Sequence, residues 1–154
     1  MKVYFVHYNA TASELERTFA LADSHRSGDV ENFCASMVGN AGSFSRKVVS
    51  SCFSFVEGRD TPAAATLHLP IAHYLDSDEE VARRVGAYLT TNGMVAGPYE
   101  RALAALAQRP LESRTGLQSY ASFRREKSGL RLTAYLSPEL FDDASFRSGV
   151  RKMA

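Results

Sequence analysis

The sequence predicts an α+β fold, an antiparallel β-sheet with helices on its outer face, and three observations predict it. Two pairs of alternating segments are each joined by a short turn: residues 43–56 with 65–71, and the two arms of 116–141 closed around residues 126–129. Short turns make antiparallel neighbours. Runs with helical spacing fall between them, so the order reads strand, two helices, hairpin, two helices, hairpin, helix. The 154 residues fit one domain that buries roughly two-thirds of its unfolded surface without disulfides or metal. That domain is expected over residues 1–146, with a loose tail at 147–154.

Residues 1–8 alternate as a strand, with Lys2, Tyr4, Val6 and Tyr8 on one face and Val3, Phe5 and His7 on the other. A helix is expected over 11–23, where Leu15, Phe19 and Ala22 share a stripe behind a Thr11 or Ser13 cap. Another is expected to about Val38, starting at Gly28 or Asp29, through Val30, Phe33, Cys34 and Met37 and ended by Gly39 and Asn40. Residues 43–56 read as one long strand carrying Arg46, Val48, Ser50, Cys52 and Ser54 on one face. The return strand over 65–71 puts Thr66 and His68 opposite Leu67 and Leu69.

Residues 73–92 open on the cap region Asp76-Ser77-Asp78-Glu79-Glu80 and then align Val81, Val85, Tyr88 and Leu89. Pro98 starts a short helix that stops at Gln108-Arg109-Pro110. The closing hairpin then sorts its residues by face. Leu117, Ala121, Phe123, Leu130, Leu132, Ala134 and Leu136 make one greasy side; Gln118, Tyr120, Ser122, Arg124, Arg131, Thr133 and Tyr135 make the other. Tyrosines beside guanidiniums suit an aromatic-lined anion site, although Tyr and Thr also suit an ordinary strand with solvated arginines. A last turn is expected from Pro138 to about Phe146.

A net charge of +1 with interspersed signs leaves no basic stripe for nucleic acid. No apolar run approaches membrane-span length, and the first residues lack the pattern of a signal peptide, so a cytoplasmic protein is expected. Cys34 and Cys52 sit among small or apolar residues without metal-ligand spacing, which reads as two buried thiols.

Four segments, MKVYFVH, SFSRKVVSSCF, TLHLPIAHYLDSDEEVARRVGAYL, and SYASFRR with LRLTAYLSPELF, resemble in their order the aromatic prenyltransferases of the dimethylallyl tryptophan synthase type. The resemblance covers nearly all of this chain and the C-terminal half of that family's domain. It implies half of a ten-stranded barrel ringed by helices; because five strands alone leave two exposed edges, a second copy is expected to close it as a homodimer. It further implies transfer of a dimethylallyl or longer prenyl group from its diphosphate to an aromatic, indole-containing acceptor, with no metal and no cofactor beyond the prenyl diphosphate co-substrate. Lys2 and Tyr4 match a Lys-x-Tyr that holds diphosphate and shields the allyl cation. Arg46 matches the first place of an Arg-x-Lys-x-Tyr whose other places are here Val48 and Ser50.

Thr66 and His68 fall where the family has a polar residue and a tyrosine. Tyr120 and Tyr135 match its shielding tyrosines, with Arg124 or Arg131 as the cation beside them. The family's usual base, a glutamate of the N-terminal half, has no counterpart here, which leaves His68 as candidate base or as a hydrogen-bonded packing residue. No DDxxD motif occurs, and Asp76-Ser77-Asp78-Glu79 reads as helix capping. Two other readings stand beside the enzyme: a non-catalytic accessory or ligand-binding subunit with a degenerate half-barrel, and a chain that works with a separately encoded N-terminal half.

Overall fold

Capping decides where the helices begin. Thr11 accepts a hydrogen bond from the Glu14 amide while the Glu14 carboxylate takes the Thr11 amide in return, and this reciprocal box opens helix α1, Ala12–Phe19. Helix α2, Asp29–Val38, starts after Gly28, which has no side chain to cap with and sits at φ 86°. Glu16 of α1 does the capping instead, accepting from the amides of Gly28, Val30 and Glu31 at 2.8–3.1 Å and from His25 at 2.5 Å. Burial works against that charge, but His25 and the three amides outweigh it and hold the Glu16 carboxyl below its ordinary range.

The computed structural model describes residues 1–39 and 42–138. Its strands are β1 Lys2–His7, β2 Val49–Ser54, β3 Ala64–Leu69, β4 Gln118–Glu126 and β5 Gly129–Leu136, with α1 and α2 after β1 and helices α3, Asp78–Thr91, and α4, Gly97–Leu106, between β3 and β4. The five strands form one sheet in sequence order, each pair antiparallel. The expected element order and antiparallel sheet are therefore present. The expected turn after Pro138 and the tail at 147–154 lie outside the described residues.

One face of the sheet is the core. Leu67 and Leu69 of β3, Phe53 of β2 and Phe123 of β4 pack against Leu15, Val30, Phe33, Met37, Val81 and Val85 of the helices, all nearly or fully buried. Phe33 packs between Tyr88, met edge-on, and Phe123, with ring centroids 5.5 and 5.4 Å away. Burying one such ring contributes about 2–3 kcal/mol. Both cysteines are free and buried, and burial pushes the Cys34 thiol up to about 12, so it remains an inert packing group.

Several boundaries differ from the sequence expectation: α1 ends at Phe19 and not at 23, and three further differences have identifiable causes. The long strand over 43–56 is only β2, Val49–Ser54. Phe44 turns inward to 1 % exposure, its amide bonds Ala10, and Ser43 makes an isolated bridge with Thr11. The Tyr74 hydroxyl then accepts from the Lys47 amide at 3.1 Å and donates to the Lys47 carbonyl at 2.6 Å. A side chain thus satisfies backbone groups that would otherwise join a ladder.

The second difference is at the start of β4, where a bulge between Gln118 and Tyr120 shifts the register. Gln118 therefore leaves the polar face and lies 2 % exposed. It donates from Nε2 to the Asp78 carbonyl and accepts from the Tyr99 hydroxyl. Asp78, fully buried at the first turn of α3, accepts from the amides of Leu117 and Gln118 and from Arg109 at 2.6 Å. The expected helix start at 73 is corrected likewise: residues 71–73 form a 3-10 turn, and Ser77 caps α3 through the Glu80 amide.

Candidate functional site

Strand alternation sends every second side chain away from the helices, and antiparallel register then lines these residues up across the sheet. Tyr4, Cys52, Thr66, Arg124 and Arg131 form one such row over all five strands. Val6, Ser50, His68, Ser122 and Thr133 form the next. Lys2 pairs with Ser54 on one side of these rows, and Tyr120 pairs with Tyr135 on the other. This face, without helices among the described residues, carries tyrosines, cations, hydroxyls and one imidazole.

Seven of the eight sequence-assigned residues lie on it: Lys2, Tyr4, His68, Tyr120, Arg124, Arg131 and Tyr135. The rings of His68 and Tyr120 lie 6.2 and 6.4 Å from that of Tyr135, each at a steep angle, so the three make an aromatic corner at the β3–β5 end. Arg46 is not among them. It is exposed in the bend before β2, because the chain has turned in at Phe44 and the strand begins only at Val49. Its assignment to the strand face is corrected.

The electrostatics of the face follow from partial burial. Desolvation lowers the proton affinity of His68 below its ordinary value of 6.5, so at neutral pH the ring is uncharged and able to accept a proton. The Cys52 thiol beside Tyr4 raises that phenol, which stays protonated. Arg124 extends Nη1 toward the hydroxyls of Ser54 and Thr66, both at 3.4 Å. Glu126 continues the alternation of Tyr120, Ser122 and Arg124, and its Oε1 stands 3.2 Å from Arg124 Nε and 3.5 Å from Arg131 Nη1.

Among the residues of this face outside the candidate set, Cys52, Ser54 and Glu126 touch its charged or aromatic members. The alternation of β2 places the first two on this face. Glu126 was taken as the turn, although extending the period of two by one more step reaches it. A groove of about 400 Å3 among α1, α2 and the 42–44 segment lies elsewhere. Among the described residues that line it, the ionisable groups are Glu31 and Cys34, with no cation for an anionic ligand. Among the described residues no group of three or more His, Cys, Asp or Glu side chains is arranged to hold a metal ion, and no helix is long and apolar enough to cross a membrane.

No protein-family model matches the chain. It is 36% identical over 84 residues to the prenyltransferase anuH of Penicillium roqueforti, a match covering 51% of this chain and 18% of that protein. Its fold is similar to 5-dimethylallyltryptophan synthase from Streptomyces coelicolor, with a TM-score of 0.81 and 35% identity over 90% of this chain and 41% of that one. The 6-dimethylallyltryptophan synthase from Micromonospora olivasterospora, solved in complex with DMASPP and Trp, gives a TM-score of 0.84 and 30% identity over 90% of this chain and 39% of that one. The chain thus spans about two fifths of the length of these solved structures.

Proposed function

Because the chain resembles, in sequence and fold, about two fifths of an aromatic prenyltransferase of the dimethylallyltryptophan synthase type, we propose that it contributes one half of a prenyltransferase barrel, corresponding to the C-terminal half of that family's domain. It moves a dimethylallyl or longer prenyl group from its diphosphate to an indole-containing acceptor. The observation that carries this reading is the row of Tyr4, Thr66, Arg124 and Arg131, flanked by Lys2 and by the Tyr120–Tyr135 pair, on the face turned away from the helices.

Lys2, Arg124 and Arg131 bind the diphosphate, and their charge stabilises it as it leaves when the allylic C–O bond breaks. These protein cations serve where other prenyl transfers employ a metal. Tyr4, Tyr120 and Tyr135 offer ring faces to the resulting allyl cation and keep water from it. An aromatic carbon of the acceptor attacks the cation, forming the new C–C bond. The neutral His68 takes the proton that the ring then loses, which restores aromaticity. Arg46, exposed in the bend before β2, is off the strand face and has no role in this scheme.

The sheet leaves one side of β1 and one side of β5 without a neighbour strand among the described residues, and edges of this length invite pairing. In this reading a second copy supplies the strands that close the barrel. Purified chain incubated with dimethylallyl diphosphate and L-tryptophan is expected to give a prenylated tryptophan by mass spectrometry, lost on Lys2→Ala. Sedimentation is expected to give a dimer. A well-folded chain that makes no product with any indole acceptor would return the reading to an accessory subunit, and a strict monomer that turns over would remove the closing copy.

A further inference from the structure

Three cationic or anionic side chains at the end of the last hairpin are arranged in an unusual way. Arg124 Nε is buried and has no hydrogen-bond partner. Its Nη1 contacts are both at 3.4 Å, the long limit for such a bond. A guanidinium presents a rigid fork of donors that fits a bidentate oxyanion, yet here the fork faces a single carboxylate oxygen, Glu126 Oε1, from the side. The same oxygen lies near Arg131 Nη1. The side chain of Arg124 is 28 % exposed and that of Arg131 is 65 % exposed, so Arg124 is the inner, more organised cation of the two.

We propose that Glu126 is an internal counter-anion for this site. It stands between Arg124 and Arg131 while no diphosphate is bound and swings aside when one arrives. A diphosphate brings more acceptor oxygens and more charge than one carboxylate, so it satisfies both forks where Glu126 satisfies neither. It also repels the carboxylate it replaces. Glu126 is the last residue of β4, next to the exposed Lys127 and Ser128 of the turn, which gives its side chain an open direction to move. Affinity for the diphosphate is therefore held below what Arg124 and Arg131 alone would give, and release of the diphosphate product is assisted by the returning carboxylate. This inference rests on the diphosphate reading of the face.

The test is titration calorimetry with inorganic pyrophosphate on the wild type, Glu126→Gln and Arg124→Gln, each first shown to melt cooperatively near the wild-type temperature. Glu126→Gln, which keeps size and removes charge, is expected to bind pyrophosphate about three- to tenfold tighter. Arg124→Gln is expected to bind at least about tenfold weaker. If Arg124→Gln loses affinity but Glu126→Gln binds no tighter than wild type, the counter-anion role is overturned while the diphosphate site survives. If pyrophosphate binds none of the three, or binds all three alike, the diphosphate site itself is overturned.

Discussion

The two faces of this one sheet are made by alternate residues of the same strands and have opposite properties. On β3, Leu67 and Leu69 are fully buried beneath α1, α2 and α3, while Thr66 and His68 are only partly covered on the other side. On β1 the division weakens: Tyr4 is 66 % exposed on the polar face, and Phe5, on the core face, is still 46 % exposed although it packs edge-on against Phe53. The helices cover the middle of the sheet better than its first edge. Stability is thus concentrated on the helix side of β2 to β4, and the other face is free to carry charged and aromatic side chains that a core would reject. Substitutions on the two faces should separate cleanly, one kind acting on folding and the other on chemistry.

The largest effect is expected on the core face. Phe33→Ala removes a fully buried ring held between Tyr88 and Phe123 and should cost about 3–5 kcal/mol in chemical denaturation. Asp78→Ala should follow at about 2–4 kcal/mol, because it strips the amides of Leu117 and Gln118 and the Arg109 guanidinium of a buried acceptor. Lys2→Ala is the contrasting experiment. It should alter stability by no more than about 0.5 kcal/mol and lower the proposed prenyl transfer by about a hundredfold or more. A Lys2→Ala protein with unchanged turnover would break the division of labour between the faces.

Acidification sharpens the same comparison, since it reaches both faces at once. His7 sits on the core side, hydrogen-bonded to Ser51 at 2.8 Å, and His68 sits on the polar side. Burial lowers both from the ordinary 6.5. A depressed histidine binds its proton more readily in the unfolded chain, so its contribution to stability is present above pH 6.5 and is lost as the pH falls through the folded value. Melting temperature should therefore decline below about pH 6.5, less so in His7→Gln, and turnover should fall in the same range if His68 accepts the ring proton. A flat rate profile there would remove His68 as the base. The smallest effect belongs to the exposed Arg59–Asp23 pair: Arg59→Ala should change stability by less than about 0.5 kcal/mol.

Much of this was legible in the residues because it depends on short-range periodicity. The alternation of Tyr120, Ser122 and Arg124 and of Arg131, Thr133 and Tyr135 placed the two arms correctly, and the short connection between them fixed which residues face each other. Arg46 and Gln118 were misplaced for reasons that no local pattern contains. Arg46 continues the period of two of β2, but Phe44 finds a core site and Tyr74, 27 residues away, takes over the backbone of Lys47. Gln118 fits the polar stripe until the bulge turns it toward Asp78, 40 residues away.

By itself, the sequence determined the order of strands and helices, the two faces of each strand and the residue types gathered on the polar one, because backbone geometry repeats every two or 3.6 residues. Only the tertiary structure decided that β1 lies beside β2 and β3 beside β4, and hence that Tyr4 and Arg131, at opposite edges, share a row with Arg124 between them. It also decided that Glu126 stands against that arginine and that Arg46 does not lie on the strand face. Those outcomes depend on contacts between residues far apart in the chain, whose burial and hydrogen bonding compete with local preference and, at Phe44 and Gln118, prevail over it.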